Sequence, residues 1–211
     1  MNTTQATLPA LKSRITELTR ETRETRISLK LNLDGTGSNR IDTGIGFLDH
    51  LFDALAKHAG FDLDLSCKGD LQIDDHHTAE DCAIVFGNAL NQCLGDKRGI
   101  TRFGSAYAPL DEALARSVID FSGRPFAFVD LKLRRDSVGG LACENIPHIL
   151  SSIAASAMMT LHVDILRGEN DHHNAEAAFK ATALALRQAV SFTGSTDIPS
   201  TKGTLSGGPL E

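Results

Sequence analysis

The chain has 211 residues, 41% hydrophobic and 23% charged, with a formal net charge of −6 and a pI near 5.7, ordinary figures for one large globular domain or two small ones. The acidic balance, a single tyrosine and no tryptophan argue against a nucleic-acid surface, which needs positive potential and rings for base stacking. No apolar run approaches the roughly 18–20 residues that cross a bilayer, and MNTTQATLPALKSR lacks an apolar h-region, so the expectation is a cytoplasmic protein without a membrane partner.

Residues 1–24 read as an N-terminal segment. RISLKLNL then alternates, with Ile27, Leu29, Leu31 and Leu33 on one face and Arg26, Ser28, Lys30 and Asn32 on the other, the pattern of a half-buried strand. Leu48, Leu51, Phe52 and Leu55 mark an amphipathic helix, and His50 lies about 200° from Leu48, off that stripe. A strand carrying Phe61, Leu63 and Leu65 follows. DDHHTAEDC at 74–82 then opens a second helix with Asp75 as its N-cap. TRFGSAYA and ALARSVIDFSG read as paired strands closing a first structural copy over residues 25–122.

A second copy, 123–194, repeats the plan. DHHTAED at 75–81 recurs as DHHNAEA at 171–177, and Leu48, His50, Leu51, Phe52 and Leu55 match Ile146, His148, Ile149, Leu150 and Ile153. PFAFVDLKL stands where the first copy has RISLKLNL, and Asp171 takes the N-cap position of Asp75. His162, in TLHVDI, falls on the polar side of a strand and reads as a strand histidine. Residues 195–211, rich in Gly, Ser and Pro, read as a loop and flexible tail. The expected fold class is α+β: a tandem duplication in which each half lays two helices on one face of a small, mainly antiparallel four-stranded sheet.

The repeat changes the meaning of the histidines. His76 and Glu80 are spaced i, i+4 and His77 and Glu80 i, i+3, so either histidine can share a site with the glutamate. The two histidines diverge by about 100° around a helix, which assigns them to different ions. With the copies, the inventory is His50, His76, His77, Glu80, His148, His172, His173 and Glu176. Shared between two ions, these supply four ligands each and leave positions open. Imidazole and carboxylate without thiolate suit Mn²⁺, Fe²⁺, Co²⁺, Ni²⁺ or Zn²⁺, and open octahedral positions favour Mn²⁺ or Fe²⁺. Ligands facing outward from one chain predict sites completed by a neighbour, coupling metal to assembly. Cys67, Cys82, Cys93 and Cys143 never form C-x-x-C and read as reduced, mostly buried thiols.

RETRISLKLNLDGTG, TGIGFLDHL, DDHHTAEDCA, GITRFGSAYAPLDEALA, DFSGRP, NDHHNAEAAFKA and IPSTKG together resemble the imidazoleglycerol-phosphate dehydratase family over about residues 11–205. The resemblance implies a ribosomal protein S5 domain 2-like duplicated fold, a 24-subunit shell, and two Mn²⁺ per active site (Fe²⁺ or another divalent ion being possible). The eight residues above would be the ligands, drawn from adjacent subunits. The implied reaction converts imidazole glycerol phosphate to imidazole acetol phosphate plus water in histidine biosynthesis, by way of a metal-bound imidazolate. Glu24 matches an acid/base near the reacting carbons. Arg102, Arg124, Ser200 and Lys202 match phosphate-binding positions, Thr201 stands where the family commonly has a second serine, and Arg98 is a further candidate. His58 and Lys180 match positions close to the substrate, and the tail to about Leu205 is expected to order over the phosphate. Two rivals share the same parts: a dinuclear metallophosphatase and a non-enzymatic, metal-assembled shell protein.

Overall fold

Periods of two and 3.6 along the chain become ten strands and four helices among residues 13–205, the residues that the computed structural model describes. The first half holds β1 (Ile15–Glu21), β2 (Thr25–Asn32), β3 (Asn39–Asp42), α1 (Gly46–Ala59), β4 (Asp62–Gly69) and α2 (His76–Leu94). The second holds β5 (Phe103–Leu110), β6 (Ala113–Asp120), β7 (Phe126–Asp130), a small β8–β9 hairpin (Ser137–Val138 and Leu141–Ala142), α3 (Asn145–Ser156), β10 (Thr160–Arg167) and α4 (Asp171–Val190). The two sheets run β1-β2-β4-β3 and β5-β6-β10-β7. In each, only the last pair is parallel, so the duplicated, mainly antiparallel α+β architecture stands.

The division between the halves differs from the expected one. β1 lies inside the stretch taken as an N-terminal segment, where Ile15 and Leu18 break a clean alternation and only its edge position beside β2 makes it a strand. β5 and β6, expected to close the first copy, belong to the second sheet, because β6 pairs with β10 from Thr160↔Asp120 to Arg167↔Leu114. Local pattern shows that two stretches pair with each other, but not which sheet receives them. By strand order the counterpart of RISLKLN is therefore ALARSVID, and PFAFVD matches β3 as the parallel edge. Residues 1–12 and 206–211, parts of the expected first and last segments, lie outside the described residues.

The helices explain why the halves hold together. α1 buries Phe47, Leu48, Leu51, Phe52 and Leu55 and ends at Gly60, whose φ of 76° closes the helix in a left-handed cap. α2 covers β1 and β2, and α4 covers β5 and β6, yet α1 lies against α4 and α2 against α3. The interior is thus one hydrophobic cluster drawn from both halves, with Phe52, Phe61, Phe86, Phe121 and Phe179 fully buried. Where α3 crosses α2, a Cβ on Gly87 would lie 2.6 Å from the Ile153 carbonyl oxygen and 2.7 Å from Ser156 Cβ. Gly87→Ala is expected to cost about 1–3 kcal/mol through overpacking, read as a lower denaturation midpoint; an unchanged midpoint would contradict this helix contact. All four cysteines are free thiols, Cys82 and Cys143 buried. Among the described residues no helix is long and apolar enough to cross a membrane.

Candidate metal centre

Two clusters of ligand atoms form where helices of opposite halves meet. At the start of α2, Glu80 Oε1 lies 3.0 Å from His148 Nε2 of α3, and Glu80 Oε2 lies 4.0 Å from His76 Nε2. The His76 and His148 rings stack at 5.1 Å with an 18° interplanar angle. At the start of α4, Glu176 Oε2 lies 2.8 Å from His50 Nε2 of α1 and 3.2 Å from His172 Nε2. In each group one atom from each residue falls within 4.8 Å of the others. Ligands at about 2.0–2.2 Å from one ion are separated by comparable distances, so both two-histidine, one-glutamate sets fit a divalent cation. The i, i+4 spacing supplies two ligands from one helix, and the outward histidine of the facing helix supplies the third.

Electrostatics suit this use. Burial alone would push the Glu176 carboxyl up, but hydrogen bonds and charge from Lys180 and His50 outweigh it and hold the group at about 2. Lys180 Nζ sits 2.5 Å from Glu176 Oε1. His58 lies on the same helix as His50, and its pKa is lowered by burial first and then by the Lys180 charge. His58 and Lys180 are therefore gathered beside the His50 group. The outer nitrogen of His76 is held by Asn145, whose Oδ1 is 2.9 Å from Nδ1. In the other group His172 instead packs on the Phe47 ring at 4.9 Å.

His77 and His173 turn away from both groups. His77 Nδ1 lies 3.1 Å from Asp70 Oδ2, a hydrogen bond that raises the histidine's pKa, and its Nε2 lies 3.7 Å from Glu24 Oε1. His173 Nδ1 lies 2.7 Å from Glu112 Oε2. Adjacent histidines on one helix thus face different surroundings, as the 100° step requires.

Glu24 occupies the turn between β1 and β2, about half exposed. The turn is fixed from below: its backbone N–H donates to Thr22 Oγ1, and buried Asp81 of α2 accepts from Thr25 Oγ1 at 2.5 Å and Arg20 Nε at 3.1 Å. The two expected caps behave differently. Asp75 flanks α2 but its Oδ2 accepts from Ala142 N, while Asp74 Oδ1 accepts from His76 N. Asp171 is buried within α4 and accepts the N–H groups of Arg134 and Arg135, leaving Asn170 to cap. In both places a neighbouring side chain takes the helix N–H, freeing the aspartate to tie down a loop.

The expected phosphate residues lie elsewhere. Arg102 N donates to Ala189 O near the end of α4, and from Glu176 to Ala189 the helix extends about 20 Å at its standard rise. α2 likewise ends at Leu94, shortly before Arg102. Arg102 has φ 69°, a left-handed conformation costing a non-glycine residue roughly 1–2 kcal/mol. Its guanidinium forks onto Asp120 at 2.7 and 3.1 Å and donates to Pro199 O at 2.8 Å, which draws the Ser200–Lys202 turn alongside. Ser200 Oγ accepts from Lys202 N, while Thr201, Lys202 and Arg124 are exposed. Arg98 braces the same loop through Asp96 and Thr196 O. His162 is exposed on β10 between Phe126 and Phe128, apart from both groups.

Asp70, Asp81, Glu112 and Asn145 escape sequence reading, because each is an isolated polar residue whose partner is set by tertiary packing. A family model for imidazoleglycerol-phosphate dehydratase matches residues 43–186. The chain is 51% identical to the imidazoleglycerol-phosphate dehydratase of Kluyveromyces lactis, covering 89% of this chain and 96% of the relative. It is 57% identical to that of Phytophthora nicotianae, of which it spans only 42%. Its fold is similar to the crystal structure of the Staphylococcus aureus imidazoleglycerol-phosphate dehydratase, with a TM-score of 0.77, 35% identity, and coverage of 85% of this chain and 99% of that one.

Proposed function

The chain belongs to the imidazoleglycerol-phosphate dehydratase family of hydro-lyases, and from that premise we propose that it dehydrates imidazole glycerol phosphate to imidazole acetol phosphate in histidine biosynthesis. The observation that carries the reading is the pair of two-histidine, one-glutamate groups at repeat-related positions. Bound there, Mn²⁺ or a similar divalent ion would supply Lewis-acid polarisation of the imidazole ring and hold its orientation. His50, His172 and Glu176 would hold one ion and His76, Glu80 and His148 the other.

The difficulty of the reaction is a proton on a carbon with no adjacent carbonyl. Glu24, carried on a turn pinned by Asp81, exchanges that proton through its carboxylate. Arg102, Arg124 and Lys202 bind the phosphate with charge-assisted hydrogen bonds, and the Ser200 and Thr201 hydroxyls complete its cradle. His58 and Lys180 line the substrate beside the His50 group. The roughly 20 Å between the Glu176 group and the Arg102 loop supports a site assembled from neighbouring subunits, in keeping with a 24-subunit shell. His77 and His173, outside their own chain's groups, complete those of adjacent chains.

The decisive assay supplies imidazole glycerol phosphate and Mn²⁺ and follows ketone and inorganic phosphate together. Ketone without phosphate is expected; phosphate release would favour a phosphatase, and neither product a non-enzymatic shell. Chelation, or acidification toward pH ~5–6, is expected to dissociate large particles, because imidazole binds metal only when deprotonated. Glu176, at about 2, stays ionised through that window, so in its group the competition with protons falls on His50 and His172. A chelated sample that still sediments as the full particle would refute the link.

A further inference from the structure

Two carboxylates have no part in the site so far, yet they meet equivalent histidines. Asp70 follows β4 and holds His77 Nδ1 at 3.1 Å; Glu112 sits in the β5–β6 turn and holds His173 Nδ1 at 2.7 Å. His77 and His173 are repeat-related, but Asp70 and Glu112 are not. The β5–β6 turn corresponds to the β1–β2 turn of the first half, and the counterpart of Asp70 would follow β10. The same contact therefore reaches the same histidine from different loops. Duplication of the fold accounts for the turn carboxylates at Nε2, Glu24 at 3.7 Å from His77 and Asp111 at 3.9 Å from His173, but not for the Nδ1 contacts.

We propose that Asp70 and Glu112 are positioning residues, each accepting the Nδ1–H of the second histidine of its HHxxE motif so that Nε2 is left as the bare ligand atom. A hydrogen bond at one ring nitrogen sets the tautomer and therefore which nitrogen can bind a metal. This role rests on the proposed function, in which His77 and His173 are ligands toward an adjacent subunit. Glu112 is itself held in place for it. Its Oε1 also accepts from the Glu169 and Asn170 backbone N–H groups, which locks the carboxylate beside the histidine.

Glu112→Gln separates the two duties. The amide oxygen keeps the backbone N–H groups, and the amide nitrogen then faces His173 Nδ1 as a donor, moving the ring proton to Nε2. Full-length protein stripped of metal would be titrated with Mn²⁺ against a chromogenic chelator, and with Co²⁺ followed by its visible absorption. The variant is expected to bind one class of ion roughly ten- to a hundredfold more weakly, with an altered Co²⁺ spectrum and an unchanged metal-free denaturation midpoint. Wild-type affinity and spectrum in Glu112→Gln, with binding lost in His173→Ala, would overturn this inference alone. Wild-type binding in His173→Ala would instead overturn the ligand reading beneath it. If Glu112→Gln does not fold, Asp70→Ala decides by the same measurements at His77.

Discussion

Glu24→Gln is expected to lower kcat by about 10²- to 10⁴-fold, the range supplied by a positioned acid or base, while KM stays nearly unchanged. The substitution keeps size and shape, and Glu24 is about half exposed, so little packing is at stake. What fixes the turn is Thr22, Thr25 and Asp81, none of which the change touches. What is lost is the capacity to take up and return a proton, together with the negative charge 3.7 Å from His77 Nε2. Equal losses in kcat and kcat/KM identify an interaction made in the transition state rather than in substrate binding. A folded, metal-loaded Glu24→Gln enzyme with wild-type kcat would remove Glu24 from the chemistry and direct attention to the other groups around His77.

The second large effect concerns where the parts of one site come from. Glu176→Gln removes the charge of one group and should lower activity at least about a hundredfold, since even outer partners of metal ligands are worth ten- to a hundredfold. Lys202→Ala should cost about ten- to a hundredfold, the value of a charged hydrogen bond to phosphate. The two variants, dissociated by chelation, mixed in equal amounts and reassembled with Mn²⁺, are expected to recover roughly a quarter of the wild-type rate by random assortment of subunits. Recovery follows only if the Glu176 group and the Ser200–Lys202 turn of one site belong to different chains. The separation along α4 supports that proposed assignment, and a mixture no faster than its components would reject it.

Much of this arrangement is legible in the chain itself. The alternation around Ile27–Leu33 and the stripes around Leu48 and Ile146 record which face of each element is buried, and that suffices to turn His50 and His148 outward. The doubled HHxxE motif carries the i, i+4 pairing that the helices realise. Partnership is another matter. Nothing local distinguishes a β5–β6 hairpin closing the first sheet from one opening the second, and only pairing of β6 with β10 decides it. Likewise no spacing tells His50 to meet Glu176 rather than Glu80. Asp75 and Asp171 carry the right residue type for caps, but Asp74 and Asn170 stand closer to the donors.

The crosswise meeting of α1 with α4 and α2 with α3 bears on the history of the molecule. An ancestral half-chain, with one outward histidine and one HHxxE helix, would own every kind of ligand and yet gather no complete set by itself. Its metal grip would first exist as a property of a symmetric pair, two identical half-chains each lending a histidine to the other's glutamate. Gene fusion would have turned that bimolecular arrangement into an intramolecular certainty, independent of concentration. It would also have released the two copies from identity. Asn145 beside His76 and Phe47 beside His172 would then be the marks of that release, two groups no longer held by symmetry to the same surroundings.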